Sequence, residues 1–311
     1  MHYLLMNSFK PHDEDKKCAP SKRYDQENGT CFTLDQLIMM AEVYNKNNKD
    51  IIEIKHNKKH LLTELINRLS GDCKEQVCLL KRTYVRSLRN RDLMYNTFVP
   101  QGPTMKFQWL STSHINMVMF QYMETFKDFM FFGALPIDFK EIKVPMNFDN
   151  YFKVLTKLYA GGKYRLGFVF NLDRHDQPGS HWVSLFADIK NNKVYFFDSA
   201  EDHSDRQPDT RILSFMKTIA IWCYYHNIKG ETPKSDDCNL HFFETNKNKI
   251  EKYVDARFNK VQHQKGNSEC GVYSINFIIR MLTEGDYDNI VNNPVPDKQM
   301  NEFRKKIFRF K

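Results

Sequence analysis

The sequence predicts an α+β fold with a central mixed sheet, and three observations carry that expectation. Residues 179–199 read as a β-hairpin: a partly alternating, β-branched arm over Gly179 to Ile189, a polar turn at Lys190 to Lys193, and a second arm over Val194 to Ser199. After Cys270, the apolar run Val272, Ile275, Phe277, Ile278, Ile279, Met281 and Leu282 is long enough for a buried helix. Ahead of both, residues 31–93 carry helical patterns and give way to the linker signal Pro100-Gln-Gly-Pro103.

Taken in chain order, residues 1–30 are polar with charge clusters and are expected to form a flexible or loosely docked arm. Thr33 to Gln36 has the form of a capping box opening a helix over Leu34 to Asn45. Ile51 to Ile54 is short and alternating. A second helix is expected over about Lys58 to Leu69, stopped by Ser70-Gly71, and a third over Lys74 to about Leu88. Residues 94–103 form the linker. The main domain, residues 104–311, opens with a helix near His114 to Phe131 and continues through an apolar helical stretch at Ile212 to Tyr225, where Trp222 reads as packing.

Three residues have the chemistry of nucleophilic catalysis. Cys270 stands at a loop-to-helix junction, where unpaired N–H groups and the helix dipole favour the thiolate. His181 and Asp198 lie at the open end of the hairpin, one near the start of the first arm and one near the end of the second. A tight turn on Asn191-Asn192 would leave them out of register, so a longer loop or a bulge is implied. A lone cysteine at a helix start is more often a small core residue, and a lone strand histidine is ordinary. The three together make nucleophile, base and orienting group.

The order His181-Trp182, Asp198-Ser199, Gln264, Cys270-Gly271 resembles one clan of cysteine proteases, which contains the SUMO-specific proteases and the adenovirus protease. Papain-like enzymes place the cysteine first. Among clan members, the chain is similar to the polyprotein-processing cysteine proteases of large DNA viruses, such as that of African swine fever virus. This likeness runs through Leu166 to Asp173, Ser199-Ala200, His263-Gln264, Glu269 to Ser274, and Met300, Phe303, Arg304, Phe308 and Arg309. The African swine fever enzyme has asparagine at the third triad position, whereas Asp198 agrees with the SUMO proteases.

The resemblance implies a papain-like, SUMO-protease-type core. In it Cys270 attacks the scissile carbonyl, His181 moves the proton, Asp198 orients the imidazole, and Gln264 donates to the oxyanion beside the Cys270 N–H. One such donor is worth about 3 kcal/mol of transition-state stabilisation. Gln262 is the fallback donor, at a spacing that does not fit the family. Gln108-Trp109-Leu110 resembles the Trp-Leu start of the SUMO-protease domain. The implication is that Trp109 and Trp182 enclose a tunnel admitting only residues without side chains, giving cleavage after Gly-Gly or Gly-small sequences. The competing reading makes both tryptophans core aromatics.

Composition is that of an ordinary soluble globular protein: 41% hydrophobic and 27% charged residues over 311 positions. No apolar run approaches the roughly 20 residues of a membrane span, and Met1 to Asn7 is too short an apolar start for a signal peptide. Seven cysteines form no regular framework, which suits a reducing compartment and a free catalytic thiol. His56, His60, Cys73 and Cys78 could suggest zinc, but their order and spacing favour core cysteines and exposed histidines, and no metal or other cofactor is expected. The net charge of +8 and two basic runs raise nucleic-acid contact: Lys81, Arg82, Arg86, Arg89 and Arg91, and then Arg304, Lys305, Lys306, Arg309 and Lys311. Such runs are usually solvated faces.

The functional expectation is a cysteine endopeptidase that cleaves viral structural polyproteins during virion maturation, at host cytoplasmic assembly sites and in the virion. The alternative enzyme is a deconjugase of SUMO- or ubiquitin-like modifiers, which would share the active site. Acetyl transfer uses the same triad order in some bacterial enzymes but would call for a dense basic pocket for inositol phosphate. The non-enzymatic alternative is a virion nucleic-acid-binding protein on a dead protease fold, against which the complete triad argues.

Overall fold

The computed structural model describes residues 13–69, 71, 75–142, 151–202, 206–231 and 240–310. The chain divides into two units, residues 1–102 with 306–311, and residues 103–305.

In the first unit, helix α1 (Leu34–Asn47) begins with the expected capping box: Gln36 N–H donates to Thr33 Oγ1 at 3.2 Å, and Thr33 N–H to Gln36 Oε1 at 3.0 Å. Helix α2 (Lys58–Leu69) turns Leu61, Leu62, Leu65 and Leu69 inward. The third helix expected over 74–88 is replaced by a 3-10 turn (Gln76–Lys81), α3 (Thr83–Ser87) and α4 (Arg91–Tyr95); Lys74 lies outside the described residues. Gln76, Val77, Cys78, Leu79 and Leu80 are all buried, so this run has no polar face to give a surface helix, and Arg82 is extended at its end.

The expectation of a loose arm over 1–30 is corrected over its described part. Cys18 is disulfide-bonded to Cys31, the Asp15 carboxylate accepts the Gln76 N–H at 2.8 Å, and Ala19 N–H donates to Thr97 O at 3.1 Å. Cys78 is disulfide-bonded as well, which takes its sulfur away from any metal and, with Cys18–Cys31, corrects the expectation of uniformly reduced cysteines. The C-terminal residues close this unit. Arg309 donates its backbone N–H to Pro100 O and accepts the Gly102 N–H at its own carbonyl, while Phe310 occupies the space a Cβ on Gly102 would need.

In the second unit, α5 (Thr112–Thr125) is capped by Ser111 and ends earlier than expected. Phe129, Met130 and Phe131 belong instead to strand β1 (Phe129–Pro136). Parallel pairing with the next strand gives their backbone the partners that a longer helix would have supplied internally. Then follow α6 (Tyr151–Ala160), β2 (Arg165–Asn171), β3 (Trp182–Asp188), β4 (Lys193–Phe197) and α7 (Thr210–Cys223), which runs on into a π-helical turn at Tyr224–Lys229. The chain continues through α8 (Leu240–Glu251), β5 (Asp255–Phe258), α9 (Cys270–Thr283), α10 (Tyr287–Asn292) and α11 (Asp297–Ile307).

The five strands lie in the order β1-β2-β3-β4-β5, with parallel outer pairs and antiparallel inner ones, so the sheet is mixed as expected. Both faces are covered, which is why its central strands are apolar at nearly every position. Leu166, Phe168, Phe170, Val183, Leu185, Val194 and Phe196 share a core with α6, α7 and α8, and Trp222 packs there. The alternate positions face α9: Phe197 stacks on Phe277, and a Cβ on Gly167 would lie 3.3 Å from Ile278. Asp188 pairs with Lys193 across a four-residue connection, residues 189–192, with Asn192 at positive φ. The longer loop is therefore the solution used.

Candidate active site

Antiparallel pairing puts the start of β3 and the end of β4 at one end of the sheet. Continuing the register places Asp198 opposite Val183, so His181 reaches it diagonally. The His181 backbone is fixed by its carbonyl, which accepts Leu172 N–H at 2.9 Å. The approach to it is shaped by Asn171 and Asp173, whose side chains accept from Ser180 and Gly179. Gly179 has φ +94°, and a Cβ there would stand 3.0 Å from Asn171.

His181 Nε2 lies 2.6 Å from Asp198 Oδ1. An ionised carboxylate only accepts, so Nε2 carries the proton and Nδ1 is left for the thiol of Cys270, which is within hydrogen-bonding reach of the imidazole. Burial alone would lower the imidazole pKa; the hydrogen bonds to Asp198 and then Cys270 outweigh it and push it up to about 10.

Asp198 is itself held by a residue that sequence reasoning missed. Asn259 is fully buried just beyond β5; its Oδ1 accepts Asp198 N–H at 2.8 Å and its Nδ2 donates to Asp198 O at 2.8 Å. This side-chain amide extends the β4–β5 pairing beyond its last pair, Phe196 and Phe258. No periodicity marks such an asparagine, because its partners are backbone groups far away in sequence.

Cys270 is the first residue of α9 and is 2% exposed. Glu269 at the N-cap makes no side-chain cap and its carbonyl already takes Val272 N–H at 2.8 Å, so the N–H groups of Cys270 and Gly271 are the ones left for a ligand oxygen. A Cβ on Gly271 would fall 3.1 Å from Leu110 and 3.3 Å from Trp182, so glycine lets both close against the helix. Trp182 is 6% exposed and its indole N–H donates to Leu110 O at 2.8 Å. Trp109, next to Leu110 in the chain, is 42% exposed. The two tryptophans thus differ: Trp182 is a buried brace at the nucleophile, and Trp109 presents its ring to solvent.

Gln264 is buried with both ends of its amide engaged. Oε1 accepts from Ser199 Oγ at 2.8 Å, and Nε2 donates to Gly266 O at 3.0 Å, leaving its second N–H for another acceptor. Gln262 instead donates to Gln264 O at 2.9 Å, bracing the backbone. Asp297, in the first turn of α11, accepts from the N–H groups of Lys265 and Gly266 and from Tyr273 Oη.

The basic runs separate in the structure. Lys81, Arg86, Arg89 and Arg91 are exposed and Arg82 is half-buried in the first unit. Of the C-terminal run, Arg304 and Arg309 are buried and bonded to carbonyls, which corrects its reading as a basic surface. Among the described residues no group of three or more His, Cys, Asp or Glu could hold a metal, and no helix is long and apolar enough to cross a membrane. Cys73 lies outside the described residues.

Comparison with known proteins shows likeness in sequence and in fold. Residues 168–310 match the family model described as the Ulp1 protease family, C-terminal catalytic domain. A candidate thiol protease of Acanthamoeba polyphaga mimivirus is 34% identical over 94% of this chain and 93% of its own length. A cysteine protease of African swine fever virus is 22% identical over 84% of this chain and 92% of its own. The crystal structure of the African swine fever virus protease superposes with a TM-score of 0.60 at 17% identity, covering 95% of this chain and 96% of that one, which shows a shared fold.

Proposed function

Because the chain belongs to the Ulp1 family of cysteine proteases, we propose that it is an endopeptidase that cuts after Gly-Gly or Gly-small sequences in viral structural polyproteins during virion maturation. The observation that carries this reading is His181, which meets Asp198 on one side and Cys270 on the other. His181 takes the thiol proton, and the Cys270 sulfur forms a bond to the scissile carbonyl carbon. The oxyanion receives the Gln264 Nε2–H and the Cys270 N–H. As the C–N bond breaks, His181 returns the proton to the leaving amine, leaving a thioester. Water, deprotonated by His181, then displaces the sulfur and releases the carboxylic acid.

The specificity follows from Trp182 and Trp109. Trp182 closes on Gly271 and Leu110, so little room remains beside the nucleophile for substrate side chains. The polyprotein role is supported by the resemblance to viral processing enzymes and by relatives from two large DNA viruses. The exposed residues Lys81, Arg86, Arg89 and Arg91 are the proposed place for nucleic-acid contact. The test is purified full-length chain against a library of Gly-Gly-X and Gly-small-X peptides, with Cys270→Ala alongside. Fragments ending in Gly-Gly that vanish in Cys270→Ala support the reading. Cleavage of folded modifier conjugates but not of extended peptides would move the assignment to a deconjugase.

A further inference from the structure

We infer that Arg304 is a positioning residue for the hydrolysis: its guanidinium ties the segment ahead of Trp109 to the turn that carries Cys270, and it sets a buried positive charge within reach of the nucleophile. This rests on the proposed role of Cys270 and deepens it.

Arg304 lies on α11 with 0% exposure. Its Nη1 donates to Gln108 O at 2.6 Å and its Nη2 to Ser268 O at 2.7 Å. Gln108 immediately precedes Trp109, and Ser268 stands two residues before Cys270. One planar fork therefore sets the distance between one wall of the substrate path and the nucleophile turn. Its Nε is buried with no hydrogen-bond partner among the described residues.

Carbonyls solvate a cation without neutralising it. The compensating charge comes from Glu269 and from Cys270, both of which act electrostatically on Arg304 against the cost of its burial. Glu269 is already occupied, accepting from Ser268 N–H, Ser268 Oγ and Asn301 Nδ2. A thiolate at Cys270, formed when His181 takes the proton, is thus the second negative charge in the field of Arg304. The titratable groups facing this field are His114 from α5, Glu269 and Cys270 from the turn, and His181 with Asp198 behind Cys270.

The test compares wild type, Arg304→Met and Arg304→Lys as full-length chains. The first readout is the pH dependence of iodoacetamide alkylation of Cys270, followed on its own peptide by mass spectrometry. The second is kcat and KM on a fluorogenic Gly-Gly coumarin amide. Methionine removes charge and fork together. It should move the alkylation profile to higher pH, the direction expected for loss of a nearby opposite charge. It should also lower kcat/KM by about a hundredfold, the usual result of a 1 Å misplacement. Lysine keeps the charge and apolar stem but not the fork, so it should leave the alkylation profile near wild type and lower kcat/KM by about tenfold. Wild-type profiles and kcat/KM within about twofold in both variants would overturn the inference. If Arg304→Met does not fold, Arg304→Lys decides, and an unchanged kcat/KM there overturns the positioning role. Alkylation needs no peptide substrate. A wild type that alkylates normally but leaves the amide uncut therefore counts against the Gly-Gly reading, whereas an unmoved profile counts against Arg304.

Discussion

Among its described residues, the second unit contains two histidine–aspartate pairs at the same distance, and one of them faces a thiol. His181 meets Asp198 at 2.6 Å, and His175 meets Asp138 at 2.6 Å. Both carboxylates are buried, but the His181 side chain is 18% exposed and that of His175 is 49%. Asp138 also accepts the His175 N–H at 3.0 Å, so this pair clamps a loop, and Nδ1 is the nitrogen it uses. At His181 the carboxylate takes Nε2, which turns Nδ1 toward Cys270. An imidazole–carboxylate pair is therefore common structural hardware. A proton carrier needs the opposite nitrogen aimed at a nucleophile and a setting that excludes water.

The largest expected effect separates the two histidines. His181→Ala should lower kcat/KM on a Gly-Gly peptide by about 10⁴-fold or more, and His175→Ala should leave it within about threefold. Equal losses would break the comparison. The carboxylates come next: Asp198→Asn should cost up to about 10⁴-fold by spoiling the tautomer, with Asp138→Asn again near wild type.

A smaller loss is expected at the oxyanion donor. Gln264→Ala should lower kcat by about 10²- to 10³-fold. Ser199→Ala should cost less, because the Gly266 carbonyl still holds one end of the amide. A Ser199→Ala loss equal to that of Gln264→Ala would mean that the hydroxyl alone sets the amide.

The smallest effect is on stability against pH. The folded-state pKa of His181 lies above its ordinary 6.5, at about 10. Its protonation therefore adds stability that is fully present below about pH 6.5 and fades as the pH rises toward 10. Melting curves of wild type and His181→Gln at pH 6, 8 and 10 should draw together as the pH rises. A constant gap would contradict the raised value.

The hairpin, the α9 helix and the residue order of the site are legible because each rests on a local pattern: alternation, an apolar run, or spacing within a motif. Phe129 to Phe131 is less legible, since a short apolar run suits helix or strand, and only pairing with Arg165 to Gly167 decides it. Arg304 and Arg309 look like a surface patch in the sequence because their partners, the backbone carbonyls of Gln108, Ser268 and Val99, leave no mark there. Asn259 is hidden for the same reason, and the Cys18–Cys31 bond because a pairing cannot be read from a cysteine count.

The most direct test is covalent trapping with a Gly-Gly peptide ending in a vinyl sulfone, applied to wild type, His175→Ala and His181→Ala, with the adduct located by mass spectrometry. A single adduct on Cys270 is expected, formed at similar rates in wild type and His175→Ala and far more slowly in His181→Ala. An adduct on Cys223, or equal rates in all three proteins, would contradict it.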